Sequence, residues 1–364
     1  MGEGGMAEVW KAESLGAAGF RKAVAIKRIH RHLADTETYR EMFIREACLT
    51  AALDHANIVQ VFDLGEDAHG LYLVMEWVEG VTLKDIATLC EAYNVQLSPA
   101  LACALGIEVL RALEAAHGHS ERQPDGPARP SPIIHRDITP SNVLLSVRGN
   151  VKLADFGLAR ALDSAGLTPD GVVKGKLAYL APEIVRGHAL TPSSDLYSVG
   201  LVLWEILCAR RLFAGLTDGE IVSRIVRGTA PPPILSIRPS VPEALAAVVE
   251  TALAAEPDAR HASASAFARA LGDVLRRLPE RTDATRIARE VAGAQVALGR
   301  LHASERPKPV TDPPPLPPVR RERTSGATIE LDGDALDDLG QDLRDLEDRS
   351  SLEAIPLVTR QAAH

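Results

Sequence analysis

The residue periodicity of this chain changes once, near residue 90, and that change fixes the architecture open to it. Before it, Val24-Ala25-Ile26-Lys27 and the run Leu71 to Trp77 are β-rich. One stretch there, Thr38 to Leu53, carries helical apolar spacing at Phe43, Ala47, Thr50 and Ala51. After it, from Ser98 to about Leu278, the pattern is mostly helical. Ser98-Pro99 is an N-cap and N1 pair that opens a long helix reaching about His117. Gln123-Pro124-Asp125-Gly126-Pro127 reads as a loop, and the stretch 118–132 as solvated surface. The spacing therefore predicts a small β-rich lobe followed by a larger helical one, an α+β chain. A further helix is predicted from Asp283 to Leu301, then a proline-rich extended stretch from Pro307 to Pro318.

Charge narrows the function classes. The formal net charge is −9. Between Thr324 and Ile355 ten acids face two bases, so that segment carries −8 and the remainder is close to neutral. A basic nucleic-acid binder is excluded on this balance. No run approaches the ~18 apolar residues of a membrane span, and the first residues lack the basic start and apolar core of a secretory signal. The four cysteines are scattered, with no CxxC pair, which fits buried free thiols in a reducing cytoplasm.

A series of signals then follows in one order. Gly2-Glu3-Gly4-Gly5-Met6-Ala7-Glu8-Val9 fits GxGxxGxV with Ala7 at the third glycine, a loop whose backbone can approach phosphates closely. Lys27 ends a predicted strand, and Glu46 on the next helix is the carboxylate placed to hold it. His135-Arg136-Asp137-Ile138-Thr139-Pro140-Ser141-Asn142 precedes Asp155-Phe156-Gly157, and Ala181-Pro182-Glu183 follows. Here the sequence resembles the eukaryotic-like (Hanks-type) serine/threonine protein kinases of bacteria, in a soluble and N-terminally short form. The resemblance runs from residue 2 to about 278.

The resemblance implies a bilobal protein-kinase-like fold, with ATP and Mg²⁺ (or Mn²⁺) as cofactors and proteins as substrates. Asp137 would take or orient the proton of the acceptor hydroxyl. Asn142 and Asp155 would hold the metal, and Lys27 with Glu46 would orient the phosphates. Met75 would limit the depth of the adenine pocket, the backbones of Glu76 and Val78 would bond the base, and Val9, Ala25 and Leu144 would sandwich it. Gly2, Gly4 and Ala7 would cover the phosphates. His135, Arg136, Phe156 and Gly157 are implied as structural. The resemblance also implies that Glu183 pairs with Arg260 and that Asp195 accepts bonds from the catalytic-loop backbone; an unpaired acid in its apolar helix would cost several kcal/mol, so some partner is required. The implied domains are a catalytic unit 1–278 (lobes 1–79 and 80–278), a helical extension 279–305, a basic proline-rich linker 306–323, and an acidic tail 324–364, disordered or partly helical.

Three departures from the family matter. Thr139 stands where a lysine is usual, and Lys176 follows Gly175 where a threonine is usual. The two residue types look exchanged, which would let Lys176 reach toward Asp137 and the γ-phosphate while Thr139 supplies the hydroxyl. The strand that precedes the glycine loop is expected to be missing, which would loosen the phosphate clamp. A pseudokinase or scaffold with impaired ATP binding is the alternative reading, and a small-molecule kinase a third. The catalytic loop lacks the Ala/Arg-rich pattern of tyrosine kinases, so serine and threonine are the expected acceptors. Thr168, Ser164 and Tyr179 are hydroxyl candidates for activating phosphorylation beside Arg136, with Thr168 best placed; Thr324, Ser325 and Thr328 are separate candidate phosphoacceptors at the basic-to-acidic junction before the tail. In that tail, Leu336, Leu339, Leu343 and Leu346 form one helical stripe, which fits docking to a partner or to the protein's own surface.

Overall fold

The computed structural model describes residues 2–3, 7–30, 37–67, 69–121, 128–156 and 177–305. The first lobe is an antiparallel sheet of β1 (Gly2–Glu3), β2 (Ala7–Leu15), β3 (Arg21–Ile29), β4 (Val61–Asp67) and β5 (Gly70–Glu76), ordered β1-β2-β3-β5-β4. The expected loss of the first strand is corrected in part. Gly2 and Glu3 extend and pair with Val9 and Glu8, leaving a two-residue strand at that edge. Helix α1 (Glu37–Ala51) lies on the sheet, with Phe43 and Ala47 packed against Ile29, Leu71 and Leu73. Ala51, expected on its apolar face, is exposed at the helix end.

Strand β6 (Gly80–Thr82) leaves the first lobe and leads into α2 (Leu83–Tyr93), capped by a reciprocal Thr82–Asp85 box. Helix α3 (Pro99–His117) begins on Ser98, whose hydroxyl accepts from Leu101 N at 3.2 Å. The stretch read as plain loop holds a small hairpin, β7 (Ser120–Glu121) with β8 (Arg129–Pro130). Strands β9 (Val143–Ser146) and β10 (Val151–Leu153) join β6 in a three-stranded sheet ordered β10-β9-β6. Then come α4 (Pro182–Val185), α5 (Pro192–Cys208), α6 (Asp218–Val226), α7 (Ile234–Ile237), α8 (Glu243–Ala252), α9 (Ala264–Arg277) and α10 (Ala284–Glu305).

Helix α5 is apolar nearly all round, and it is buried from Ser194 to Cys208 as the central post of the second lobe. Helices α3 and α8 pack against it, and α9 packs on both of them. Helix α10 is part of the same body. Its Ile287, Val291 and Ala294 enter that core, and it rests on α2, β6 and β9. Gly149, in the β9–β10 turn with φ 82°, makes room for this: a Cβ there would overlap the carbonyl oxygen of Ala284. Three cysteines are buried free thiols, but Cys48 is exposed because it sits on the outer face of α1. No described helix is long and apolar enough to cross a membrane.

Candidate active site

The two lobes meet along a backbone seam. Val59 N donates to Leu153 O at 3.0 Å, and Leu153 N donates to Asn57 O at 2.8 Å. Asn57 Nδ2 adds a 2.8 Å bond to Val151 O. This seam carries residues 154–156 to the mouth between the lobes, where they meet Lys27 from β3.

Lys27 Nζ lies 3.0 Å from Glu46 Oε1 and 2.8 Å from Asp155 Oδ1, with Lys27 and Glu46 both buried. Burial alone would lower the lysine pKa; the Asp155 and Glu46 carboxylates outweigh it and hold the pKa well above its ordinary value. The cation is therefore fixed in its charged form.

Asp137 sits across this mouth. Asn142 Nδ2 donates to Asp137 O (2.8 Å) and Asp137 Oδ2 (3.0 Å), which commits the amide nitrogen and reserves the amide oxygen for a cation. Ala154 N donates to Asn142 O at 2.9 Å and ties this loop to Asp155. Arg136 and Asp155 both take left-handed backbone conformations, φ 71° and 63°. Non-glycine residues pay strain there and need over-determined surroundings. Asp195 supplies them for Arg136: its carboxylate accepts from Arg136 N (2.9 Å) and His135 N (2.8 Å).

The His135 ring is fully buried, bonds Ala154 O through Nε2 at 3.0 Å, accepts from Asp137 N through Nδ1 at 3.2 Å, and lies against the Phe156 ring at 4.5 Å. Burial lowers its pKa, which matches a neutral ring with its proton on Nε2.

Beside this polar group lies an apolar cluster. Ala25, Val59 and Met75 form its buried part, with Val9, Trp77, Val78, Leu144 and Ala154 around them. Every side chain that the sequence assigned to an adenine pocket falls in this one cluster. Glu76 gives its N–H to Gln60 O at 2.8 Å, so that N–H is already committed within the protein. The Glu76 carboxylate holds Lys152 at 2.8 Å, a second tie between the lobes.

Below, Glu183 and Arg260 form a two-pronged buried pair at 2.8 and 2.7 Å, and Ser194 Oγ donates to Glu183 at 2.8 Å. Burial would raise the Glu183 pKa; the Arg260 bonds outweigh it and keep the pKa below its ordinary value. Tyr179 is removed from the activating candidates, because its hydroxyl is spent at 2.6 Å on the buried Glu205 carboxylate. Gly4, Gly157, Ser164, Thr168, Lys176, Thr324, Ser325 and Thr328 lie outside the described residues, and Gly2 is described only as part of β1.

The protein kinase domain family matches residues 1–271. The chain belongs to the protein kinase family. Among curated kinases it is 37% identical over 275 residues to the tyrosine-protein kinase MasK of Myxococcus xanthus, covering 76% of this chain and 42% of MasK. It is 36% identical to the serine/threonine-protein kinase PrkC of Bacillus subtilis, over 72% of this chain and 38% of PrkC. The serine/threonine-protein kinase PknA of Mycobacterium tuberculosis is 33% identical over 85% of this chain and 70% of PknA. The chain thus spans about two fifths of the first two relatives. The Mycobacterium tuberculosis PknI kinase domain superposes with a TM-score of 0.56 at 25% identity, over 75% of this chain and 92% of that one.

Within this kinase fold, sequence reasoning missed His117. Its Nε2 bonds Asp195 Oδ2 at 2.8 Å, so Asp195 serves the loop backbone and the end of α3 together. It also missed Asn57 and Lys152, whose polar ends cross between the lobes. No local pattern marks any of the three.

Proposed function

We propose that the chain transfers the γ-phosphoryl group of ATP to serine and threonine hydroxyls of proteins, itself included, as part of intracellular signalling. The observation that carries this reading is the convergence of Lys27, Asp137, Asn142 and Asp155 beside one apolar cluster. In the reaction the acceptor oxygen bonds the γ-phosphorus as the bridging oxygen leaves toward ADP, and the hydroxyl proton passes to Asp137.

Asn142 and Asp155 offer an amide and a carboxylate oxygen, hard donors that fit Mg²⁺, which commonly takes one or two protein carboxylates and completes its shell with phosphate and water. When bound, the ion offsets charge on the phosphate oxygens. The protein's share is positioning. Lys27 meets the phosphates as a permanent cation, Val9, Ala25 and Leu144 clasp the base, and Asp195 holds the loop so that Asp137 faces the acceptor.

Lys176 is assigned the phosphate-contacting role beside Asp137, with Thr139 as its hydroxyl partner. Thr139 is buried, two positions after Asp137, which is compatible with half of that exchange. A Lys176→Ala protein with unchanged kcat would overturn it. A cytoplasmic setting belongs to the same reading, supported by the three buried free thiols.

The deciding experiment is γ-phosphate transfer to a generic protein substrate, this chain against Asp137→Ala. Equal signals remove the enzyme reading. The likeness to MasK favours a second acceptor, tyrosine. Phosphoamino-acid analysis of the same reaction separates the two: phosphoserine and phosphothreonine support the proposal, and phosphotyrosine alone replaces it.

A further inference from the structure

Helix α10 is two-faced. Ile287, Val291, Ala294 and Leu298 point into the core. The opposite side carries Arg289, Ala292, Gly293, Val296 and Arg300, all exposed, with Val296 58% accessible. Arg289, Gly293, Val296 and Arg300 repeat at spacings of 4, 3 and 4, so they form one straight stripe about three turns long. The only carboxylate between residues 284 and 301 is Glu290, already bonded to Arg286 at 2.9 Å. Arg289 and Arg300 form no ion pair among the described residues. A small, shallow apolar strip with a cation at each end is thus left uncovered by the described residues.

The chain carries a segment that matches it. Leu336, Leu339, Leu343 and Leu346 repeat at spacings of 3, 4 and 3, and as a helix they span about 15 Å, against about 16 Å from Arg289 to Arg300. Asp332, Asp342, Asp345 and Glu347 flank the leucines. Thirty residues separate Glu305 from Leu336, and even a partly extended proline-rich spacer of that length permits a return to α10.

We propose that residues 332–347 dock in cis as an amphipathic helix on the outer face of α10. The leucines would cover Ala292, Gly293 and Val296, where small residues let a second helix approach closely. The acids would meet Arg289 and Arg300. Because α10 rests on α2 and β6, this seats the tail on the helix that supports the strand leaving the nucleotide cleft.

The test is hydrogen exchange on the full chain at low salt, followed at residues 336–346. Docking predicts exchange slowed by about tenfold or more relative to the unstructured rate. Arg289→Glu with Arg300→Glu should abolish the slowing, and Asp342→Arg with Glu347→Arg added to that variant should restore part of it. Leu339→Asp with Leu343→Asp should also abolish it, with α10 unaltered. Exchange at the unstructured rate in the parent chain overturns the proposal, as does protection that survives the double arginine reversal. Protection that rises with protein concentration overturns it in favour of docking on a second copy.

Discussion

Lys27 Nζ and Asp155 Oδ1 lie 2.8 Å apart, although 128 positions separate them in sequence. A cation from the first lobe and an anion from the second neutralise each other in the mouth between the lobes, with Glu46 as the third member. Removing the cation strands a buried carboxylate. Lys27→Met is expected to lower unfolding free energy by about 3–5 kcal/mol and phosphoryl transfer by at least about 100-fold. In urea denaturation, adding Glu46→Gln to Lys27→Met should recover part of the stability. An additive double variant would show that the pair is not coupled.

Stability should fall as pH drops below about 6.5, and His135 should contribute to that fall. Its ring is buried and its pKa lies below the ordinary value of about 6.5. Below that pH the unfolded chain binds a proton that the folded chain resists, so unfolding becomes easier. Denaturation midpoints at pH 7.5 and 5.5 should therefore differ more for the parent than for His135→Phe. Equal differences would remove His135 as a cause.

Tyr179→Phe should destabilise without any loss of phosphorylation at that position, because none is expected there. The variant leaves Glu205, a carboxyl whose pKa burial already raises, with the Leu212 N–H as its remaining hydrogen bond. A cost of about 1–3 kcal/mol follows from stranding part of a buried polar group. Phosphotyrosine at residue 179 in the folded protein would contradict the commitment of its hydroxyl to Glu205.

Gly149→Ala should loosen α10 while leaving the cleft residues in place. The added methyl meets the Ala284 carbonyl, and the left-handed φ penalises any side chain. Faster hydrogen exchange along 284–301 is the expected signature. Ile287→Ala, cut from the core side, should cost about 2–5 kcal/mol in the same single urea transition as the rest of the second lobe. A separate early transition would mark α10 as an independent unit.

The sequence made the bilobal plan legible because periodicity changes with depth of burial: strands and amphipathic helices leave it, as at Arg21–Ile29 and Pro99–His117. Glycine, lysine and the acid–amide loop were legible because their spacing is tied to chemistry. What stayed hidden was long-range and polar. His117 reaches Asp195 across 78 positions and Lys152 reaches Glu76 across 76, and no short-range pattern encodes such meetings. The two-residue β1 was hidden for another reason, since Gly2 and Glu3 have little strand preference and gain it from pairing with β2. Cys48 escaped because its neighbours are helical and apolar, while its own direction on α1 is set by where Phe43 and Ala47 must point.

That last detail gives the native protein a built-in attachment point. Burial pushes the thiol of Cys103 up to about 12 and that of Cys208 up to about 11, and it raises Cys90 as well, so these three resist alkylation near neutrality. Cys48 alone faces solvent, two residues past Glu46 on the same helix. A thiol-reactive fluorophore added to unmodified protein would therefore settle on α1 and report whether that helix moves when ATP is added.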